Sequence, residues 1–241
     1  MGSDTRGERT ERGDGPPRVS EPKGSGGGPS TSGHGEGRYS PGSINAVRQQ
    51  ALRQLEQFEV LMRQGHFDYG NGFHGRVYLN AHQLFRQPST IWRLAQDLLD
   101  VLPGDLLEKT DVVAGPVMGG ALLAHTLAGR RALTHPPCSF APFGSRGDNF
   151  TLRDFYARQM SGKRVLLADD VRNTGKTFQR CAELVRQAGG TVLATVQIVD
   201  RMEAVADAGV PNYALVEYKA PANVAAADCP MCGAGEPITS F

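Results

Sequence analysis

Apolar positions are almost absent from the first 43 residues and then recur along the chain at two distinct periods. Within 1–43 the only apolar side chains are Met1, Val19 and Tyr39, and the segment holds 12 of the 30 glycines and five prolines. Such a segment cannot bury enough surface to offset the entropy of ordering, so a disordered tail is expected there. From Ile44 the spacing becomes helical. Ile44, Val47, Ala51, Leu52, Leu55, Phe58 and Leu61/Met62 predict one amphipathic helix over about 44–64, with its stripe in a core or dimer contact. Glycines through 65–75 predict a hairpin or tight turn, and Arg76–Asn80 a strand. Pro88 and Ser89 announce a second helix with Ile91, Leu94, Ala95, Leu98, Leu99 and Leu102 on one face. Trp92 lies off that stripe and is expected to pack beneath the first helix.

Beyond residue 110 strand-like and helix-like patterns alternate. Asp111–Ala114 reads as a strand that runs into the loop Gly115-Pro116-Val117-Met118-Gly119-Gly120 and a helix over Ala121–Arg130. Val165–Ala168 is a buried strand followed by a helix over 176–188, which stops at Gly189-Gly190. Thr191–Val199 could fill a central strand, Met202–Ala208 predicts a short helix, and Tyr213–Val216 another strand. Cys138–Gly162 is the least regular part, broken by Pro142, Gly144, Gly147 and Gly162 and carrying Arg146, Arg153 and Arg158. It reads equally as a mobile lid over a phosphorylated ligand or as a solvated loop. The alternation predicts an α/β fold with a doubly wound parallel sheet over 44–241, behind a disordered tail at 1–43.

The densest chemistry lies in Lys163–Thr177, KRVLLADDVRNTGKT. A buried strand ends in Asp169 and Asp170, and Val171-Arg172-Asn173-Thr174-Gly175 then turns into a helix at Lys176-Thr177. In an open α/β sheet this is where ligands bind. The helix N-terminus offers free N–H groups and the positive end of the dipole to a phosphate. The carboxylates suit ribose hydroxyls, directly or through a divalent cation. A ligand with sugar hydroxyls at one end and phosphate at the other satisfies both halves. The loop Gly115–Gly120 could bring its backbone close to a second anion. A Walker A reading of Gly175-Lys176-Thr177 fails, because Asp170 stands where that motif needs glycine.

Net charge is +1 at pH 7, so no global field recruits nucleic acid or an anionic membrane. No run of about 18 apolar residues predicts a membrane span, and no apolar signal core is read at the N-terminus. These features point to a cytoplasmic protein. Four cysteines do not form a disulfide framework. Cys229 and Cys232 have zinc-knuckle spacing, but a structural zinc needs four ligands and the sequence shows no second pair. A packed terminal turn is therefore the expectation, and no protein metal site is assigned.

The acid pair, valine, small-residue turn and helix of 163–177 resemble the signature of the type I phosphoribosyltransferases, which bind phosphoribosyl pyrophosphate (PRPP). Over about 55–241 the chain is similar to the orotate phosphoribosyltransferase family, through GHF at 65–67, GFHGRVYLN at 72–80, GPVMGG at 115–120, Val199-Asp200-Arg201, Gly209-Val210-Pro211 and the CPMCGAGEPI ending. The resemblance implies a parallel sheet under a small N-terminal hood, a homodimer, Mg²⁺ with PRPP, and small-molecule substrates. It puts Asp169 and Asp170 on the ribose, Val171, Arg172, Asn173, Thr174, Gly175, Lys176 and Thr177 around the 5-phosphate, and Gly115, Pro116, Met118, Gly119 and Gly120 along the pyrophosphate. It places Phe143 where the family's lid carries lysine, which leaves Arg146 and Arg153 as candidates for the lid cation, with Arg146 taken first. Gly119 and Gly70 stand at two further positions that are basic in some members. His74, Arg76 and Arg153 are further substrate candidates. Two other readings stay open: transfer to another nucleobase, and a PRPP- or nucleotide-binding regulator that has lost catalysis. A third and weaker one is an unrelated doubly wound enzyme.

Overall fold

The computed structural model describes residues 41–240 apart from 71, 147, 148 and 204. The expected tail lies outside these residues through residue 40. The ordered body opens with α1 (Pro41–Gln57), three residues ahead of the expected boundary. A small hood follows: β1 (Leu61–Met62), β2 (Phe67–Asp68), β3 (Phe73–Gly75) and β4 (Tyr78–Leu79). Next come α2 (Pro88–Val101), α3 (Gly104–Lys109), β5 (Val112–Pro116), α4 (Gly119–Arg131), β6 (Ser139–Arg146), β7 (Asn149–Thr151) and α5 (Asp154–Met160). The remainder is β8 (Arg164–Arg172), α6 (Lys176–Gln187), β9 (Thr191–Asp200), β10 (Asn212–Glu217), β11 (Val224–Ala225), α7 (Pro230–Gly233) and β12 (Thr239–Ser240).

The main sheet runs β10-β9-β8-β5-β6-β7, and every neighbour pair is parallel except the β6–β7 hairpin. The carboxyl ends of five strands therefore share one edge. Both faces are covered, as a parallel sheet requires. Along β8 the two faces alternate. Leu166 and Ala168 join the cluster built with Leu94, Leu98, Leu123 and Leu127 of α2 and α4, while Val165 and Leu167 join Phe178, Cys181 and Val185 of α6. β8 is thus buried on both sides from Val165 to Asp169, and its acid pair emerges at the end of the most central apolar run.

The first helix is shorter than its periodicity implies. Glu59 takes a positive φ of 55°, the Val60 amide bonds back to the Leu55 carbonyl, and Leu61–Met62 pairs antiparallel with Tyr78–Leu79. Val60 and Leu61 are buried in the main core cluster with Leu55, Leu94 and Leu98, but from outside the helix. The glycine-bounded hairpin forms as expected: Phe67 pairs with Gly75 and Asp68 with His74.

Three further expectations are corrected. Trp92 is 51% exposed, with the Arg130 guanidinium of α4 4.2 Å from its ring centroid, so it lies at the surface rather than packed beneath α1. The segment 138–162 is largely regular, forming β6, β7 and α5, because Ala141, Phe143 and Met160 fill the core behind β5 and β8. Phe143 is fully buried inside β6 and pairs with Pro116, so its position belongs to the sheet and not to a lid. The expected helix over Met202–Ala208 is not seen among the described residues of that stretch. Their backbone groups bond elsewhere, the amides of Val205 and Ala206 to the Thr174 carbonyl and that of Met202 to the Asp200 carboxylate.

Phe143→Ala should cost about 3–5 kcal/mol of unfolding free energy. Trp92→Ala, which loses an exposed cation–π contact, should cost about 1 kcal/mol or less. Urea denaturation of the two variants checks the contrast.

Candidate active site

The site is assembled where two strand-to-helix loops meet at the carboxyl edge of the sheet. One leaves β8 through Asp169 and Asp170. The other leaves β5 through Gly115 and Pro116 and starts α4 at Gly119. The loops are in direct contact. A Cβ on Gly119 would collide with the Asp170 carboxylate, and one on Gly120 would lie 2.8 Å from both the Ala168 carbonyl oxygen and Asp169 Oδ1. Real Cβ atoms do not come that close, so the two glycines are what allow the acid pair and the loop to share one place.

The acid pair is shaped by local backbone bonds. The Asp170 amide donates to Asp169 Oδ1 at 3.0 Å, and the Val171 amide to Asp170 Oδ1 at 2.8 Å. Asp169 is buried, and its carboxyl is held well above the usual range, first by loss of solvent and then by the Asp170 charge. Asp170 is only half-buried. The pair therefore retains a proton more readily than two separate carboxyls would. Burial, with Asp169 as a secondary cause, also pushes the Cys181 thiol up, so that cysteine is an inert part of the core.

Beyond the acids the turn is held from one side. Gly175 adopts φ +83°, and a side chain there would strike the Ala206 carbonyl. Lys176 and Thr177 then open α6, and no side chain caps its N-terminus. The same is true of α4, whose N-cap is Met118. Two helix ends with free N–H groups thus flank the acid pair. Thr174 is half-buried and Lys176 exposed.

Arg172 departs from its expected place around the phosphate. Its guanidinium is taken up by Asp200, 3.0 Å away, and Asp200 is further satisfied by Gln197, Asn212 and the Met202 amide. Arg172 anchors the turn to β9. Asn173 is also engaged, accepting from Arg201 at 3.3 Å.

The hood residues divide. Arg76 pairs with Glu236 at 3.0 Å, and buried His74 lies against His66 and Cys232, so both engage the C-terminal segment, contrary to their expected substrate role. In their place Tyr78, Asn80 and His82 line a cleft of about 280 Å³ whose opposite wall is Asp170, Val171, Asn173 and Arg201. These hood residues were missed in the sequence. The only signal was the break of the strand pattern at Asn80, just ahead of the turn Ala81–Phe85. Arg146 is exposed at the end of β6, where the strand runs three residues past its pairing with β5 at the same edge. Arg153 is exposed ahead of α5.

No family model matches the chain. Individual relatives do. It is 37% identical over 174 residues to the orotate phosphoribosyltransferase of Erythrobacter litoralis, covering 72% of this chain and 86% of that protein. The orotate phosphoribosyltransferase of Caldanaerobacter subterraneus is 32% identical over 194 residues, 79% of this chain and 95% of that protein. The chain belongs to the orotate phosphoribosyltransferase family. Solved structures agree on the type I phosphoribosyltransferase fold. The Aeropyrum pernix orotate phosphoribosyltransferase superposes with a TM-score of 0.55 at 24% identity, over 69% of this chain and 93% of that one. An adenine phosphoribosyltransferase from Thermoanaerobacter pseudethanolicus superposes at 0.51 and 19% identity, over 68% and 99%. The fold is thus common to enzymes named for different bases. The family's acid pair, turn and glycine loop are the elements brought together here.

Asp169→Asn gives a pH-dependent stability signature. A carboxyl whose folded-state pKa is raised contributes stability that is fully present below its ordinary value of 3.8 and is lost as pH rises through the folded value. Wild type should therefore lose thermal stability on going up from about pH 4 at this group, and Asp169→Asn should lack that slope. Melting curves across pH check it.

Proposed function

We propose that this protein transfers the 5-phosphoribosyl group of PRPP to orotate, forming orotidine 5′-monophosphate and pyrophosphate in pyrimidine biosynthesis. The bond from ribose C1 to the orotate nitrogen forms as the bond from C1 to the pyrophosphate oxygen breaks. The observation that carries the reading is the contact of the Gly119-Gly120 backbone with Asp169 and Asp170 between two uncapped helix N-termini. That arrangement offers two anion sites with a hydroxyl-binding pair between them. The curated relatives are named as enzymes, which favours catalysis over a PRPP-sensing regulator.

In this reading Asp169 and Asp170 accept hydrogen bonds from the ribose 2- and 3-hydroxyls and fix the sugar for in-line displacement. The first turn of α6, with Thr174, Gly175, Lys176 and Thr177, holds the 5-phosphate. The loop Gly115–Gly120 and the start of α4 take the pyrophosphate. The cleft between Tyr78–His82 and Asp170 receives the flat, anionic base, with Arg201 as the neighbouring cation. Arg146, carried on the β6–β7 hairpin, is the charge available to cover the departing pyrophosphate. Positive charge develops on the ribose as the bond to pyrophosphate lengthens, so positioning and leaving-group neutralisation supply most of the rate.

The hard oxygen donors of the acid pair fit Mg²⁺ or its bound waters. Bound with PRPP, the ion neutralises charge on the leaving group. The family resemblance also carries a cytoplasmic homodimer. No described helix is long and apolar enough to cross a membrane.

Wild type should form orotidine 5′-monophosphate from Mg-PRPP and orotate, and adenine should not replace orotate. Asp169→Asn should lower turnover by about a hundredfold or more, the scale of losing a transition-state contact, with the fold intact by circular dichroism. Turnover with adenine alone would transfer the reading to another base, and unchanged turnover in the variant would remove the acid pair from it.

A further inference from the structure

The hood and the C-terminal segment meet at four side chains that the transfer reaction does not use. His66 and His74 come from the β2–β3 hairpin, and Cys229 and Cys232 from the turn of α7. One ligand atom from each lies within 4.8 Å of all the others. The spacing within the cluster is informative. Cys229 Sγ and Cys232 Sγ stand 3.5 and 3.6 Å from His66 Nε2, Cys232 Sγ is 3.3 Å from His74 Nδ1, and the two ring nitrogens are 3.1 Å apart. In a tetrahedron with zinc–sulfur bonds of about 2.3 Å and zinc–nitrogen bonds of about 2.0–2.1 Å, the S···N edges come to roughly 3.6 Å and the N···N edge to roughly 3.3 Å. Four of the six edges have the dimensions of such a shell, and the other two are within 4.8 Å.

The orientation of the rings supports the same conclusion. His66 Nδ1 is 2.9 Å from the Glu236 carbonyl oxygen. A carbonyl only accepts, so Nδ1 carries the proton and Nε2 turns a lone pair into the cluster. His74 Nε2 faces the Asp68 carboxylate 4.0 Å away, beyond direct hydrogen-bond reach, while Nδ1 faces inward. Two inward lone pairs 3.1 Å apart repel unless a cation or a shared proton lies between them. A backbone carbonyl on the far ring nitrogen, as at His66, is a usual support of a metal-bound histidine. His66, His74 and Cys229 are buried and Cys232 is at the surface, which gives a dry shell with one accessible edge.

We propose that His66, His74, Cys229 and Cys232 form a structural Zn²⁺ site that staples the N-terminal hood to the C-terminal turn. Four protein ligands leave no open position, so the site is structural and not catalytic. It also answers a mechanical need. The hood sheet, ordered β11-β3-β2-β12, is built from strands of two or three residues, and such a sheet is marginal without support. The histidines and cysteines are 155–166 residues apart across the hairpin and the tail, so one ion closes nearly the whole domain. The same hairpin leads directly into Tyr78–His82, the hood wall of the cleft. The staple thereby fixes that wall without touching it.

The test is metal content and cobalt spectroscopy on the full-length protein, purified without a polyhistidine tag. Wild type should retain about one zinc per chain by mass spectrometry after dialysis, and the double variant Cys229→Ser, Cys232→Ser should lose it. To separate loss of metal from misfolding of that variant, Co²⁺ added to reduced wild-type apoprotein provides a second measurement. It should give the intense visible bands of a tetrahedral site with thiolate-to-cobalt charge transfer. His66→Cys adds a third thiolate and should raise that charge-transfer absorption about 1.5-fold. Zinc below about a tenth of an equivalent, together with no tetrahedral bands on Co²⁺ addition, would overturn the proposal. So would a Cys229–Cys232 disulfide in freshly purified protein. None of these readouts depends on turnover, so they stand or fall apart from the orotate reading.

Discussion

Everything at the carboxyl edge of the sheet depends on how closely the start of α4 lies against the acid pair of β8. Gly119 and Gly120 occupy space that any side chain would take from Asp170, Asp169 and the Ala168 carbonyl. This contact places two anion-binding helix ends on either side of two carboxyls. Electrostatically that is an unusual juxtaposition: the positive ends of two helix dipoles beside a buried carboxyl, Asp169, that loss of solvent pushes toward holding a proton. The arrangement lowers the repulsion a polyanionic ligand would otherwise meet from two carboxylates, while keeping acceptors for its hydroxyls.

The layers behind this edge hold it rigid. β8 is sandwiched by apolar side chains on both faces up to Asp169, so the acids cannot drift along the strand without moving two hydrophobic clusters. On the far side, Asp200 gathers Arg172, Gln197, Asn212 and the Met202 amide into one buried polar network. Gln197 Oε1 is left without a partner in it, so the network's value lies in placing the backbone more than in stability. Here it ties the phosphate turn to the end of β9, and the Thr174 carbonyl receives the two amides that a helix over 202–208 would have kept for itself. The loop after β9 is consequently shaped by the site and not by its own pattern.

The parallel sheet, the acid pair and both glycine-bearing turns were legible in the sequence, because each rests on a local pattern: a buried run, a terminal pair of acids, a helix start. What was not legible depends on contacts between distant segments. Leu61 and Met62 continue a helical stripe in sequence, but the partner strand at Tyr78–Leu79 draws them out of it. Phe143 looked like the replacement for a lid cation until its strand pairing with Pro116 put it in the core. Arg172, Arg76 and His74 carry the right chemistry for a ligand, yet each is engaged by a residue 28, 160 or 158 positions away. The CxxC pair offered only two ligands in sequence because the other two are histidines on a hairpin that folds back over the tail.

The most direct test of the central claim is calorimetric titration of Mg-PRPP into wild type and Gly119→Ala. Wild type should bind one PRPP per chain. Gly119→Ala, with a methyl group driven against Asp170, should bind it at least about a hundredfold more weakly while melting within a few degrees of wild type. Equal affinity in the two proteins would mean that the contact between the glycine loop and the acid pair does not form the PRPP site, and the account would fail.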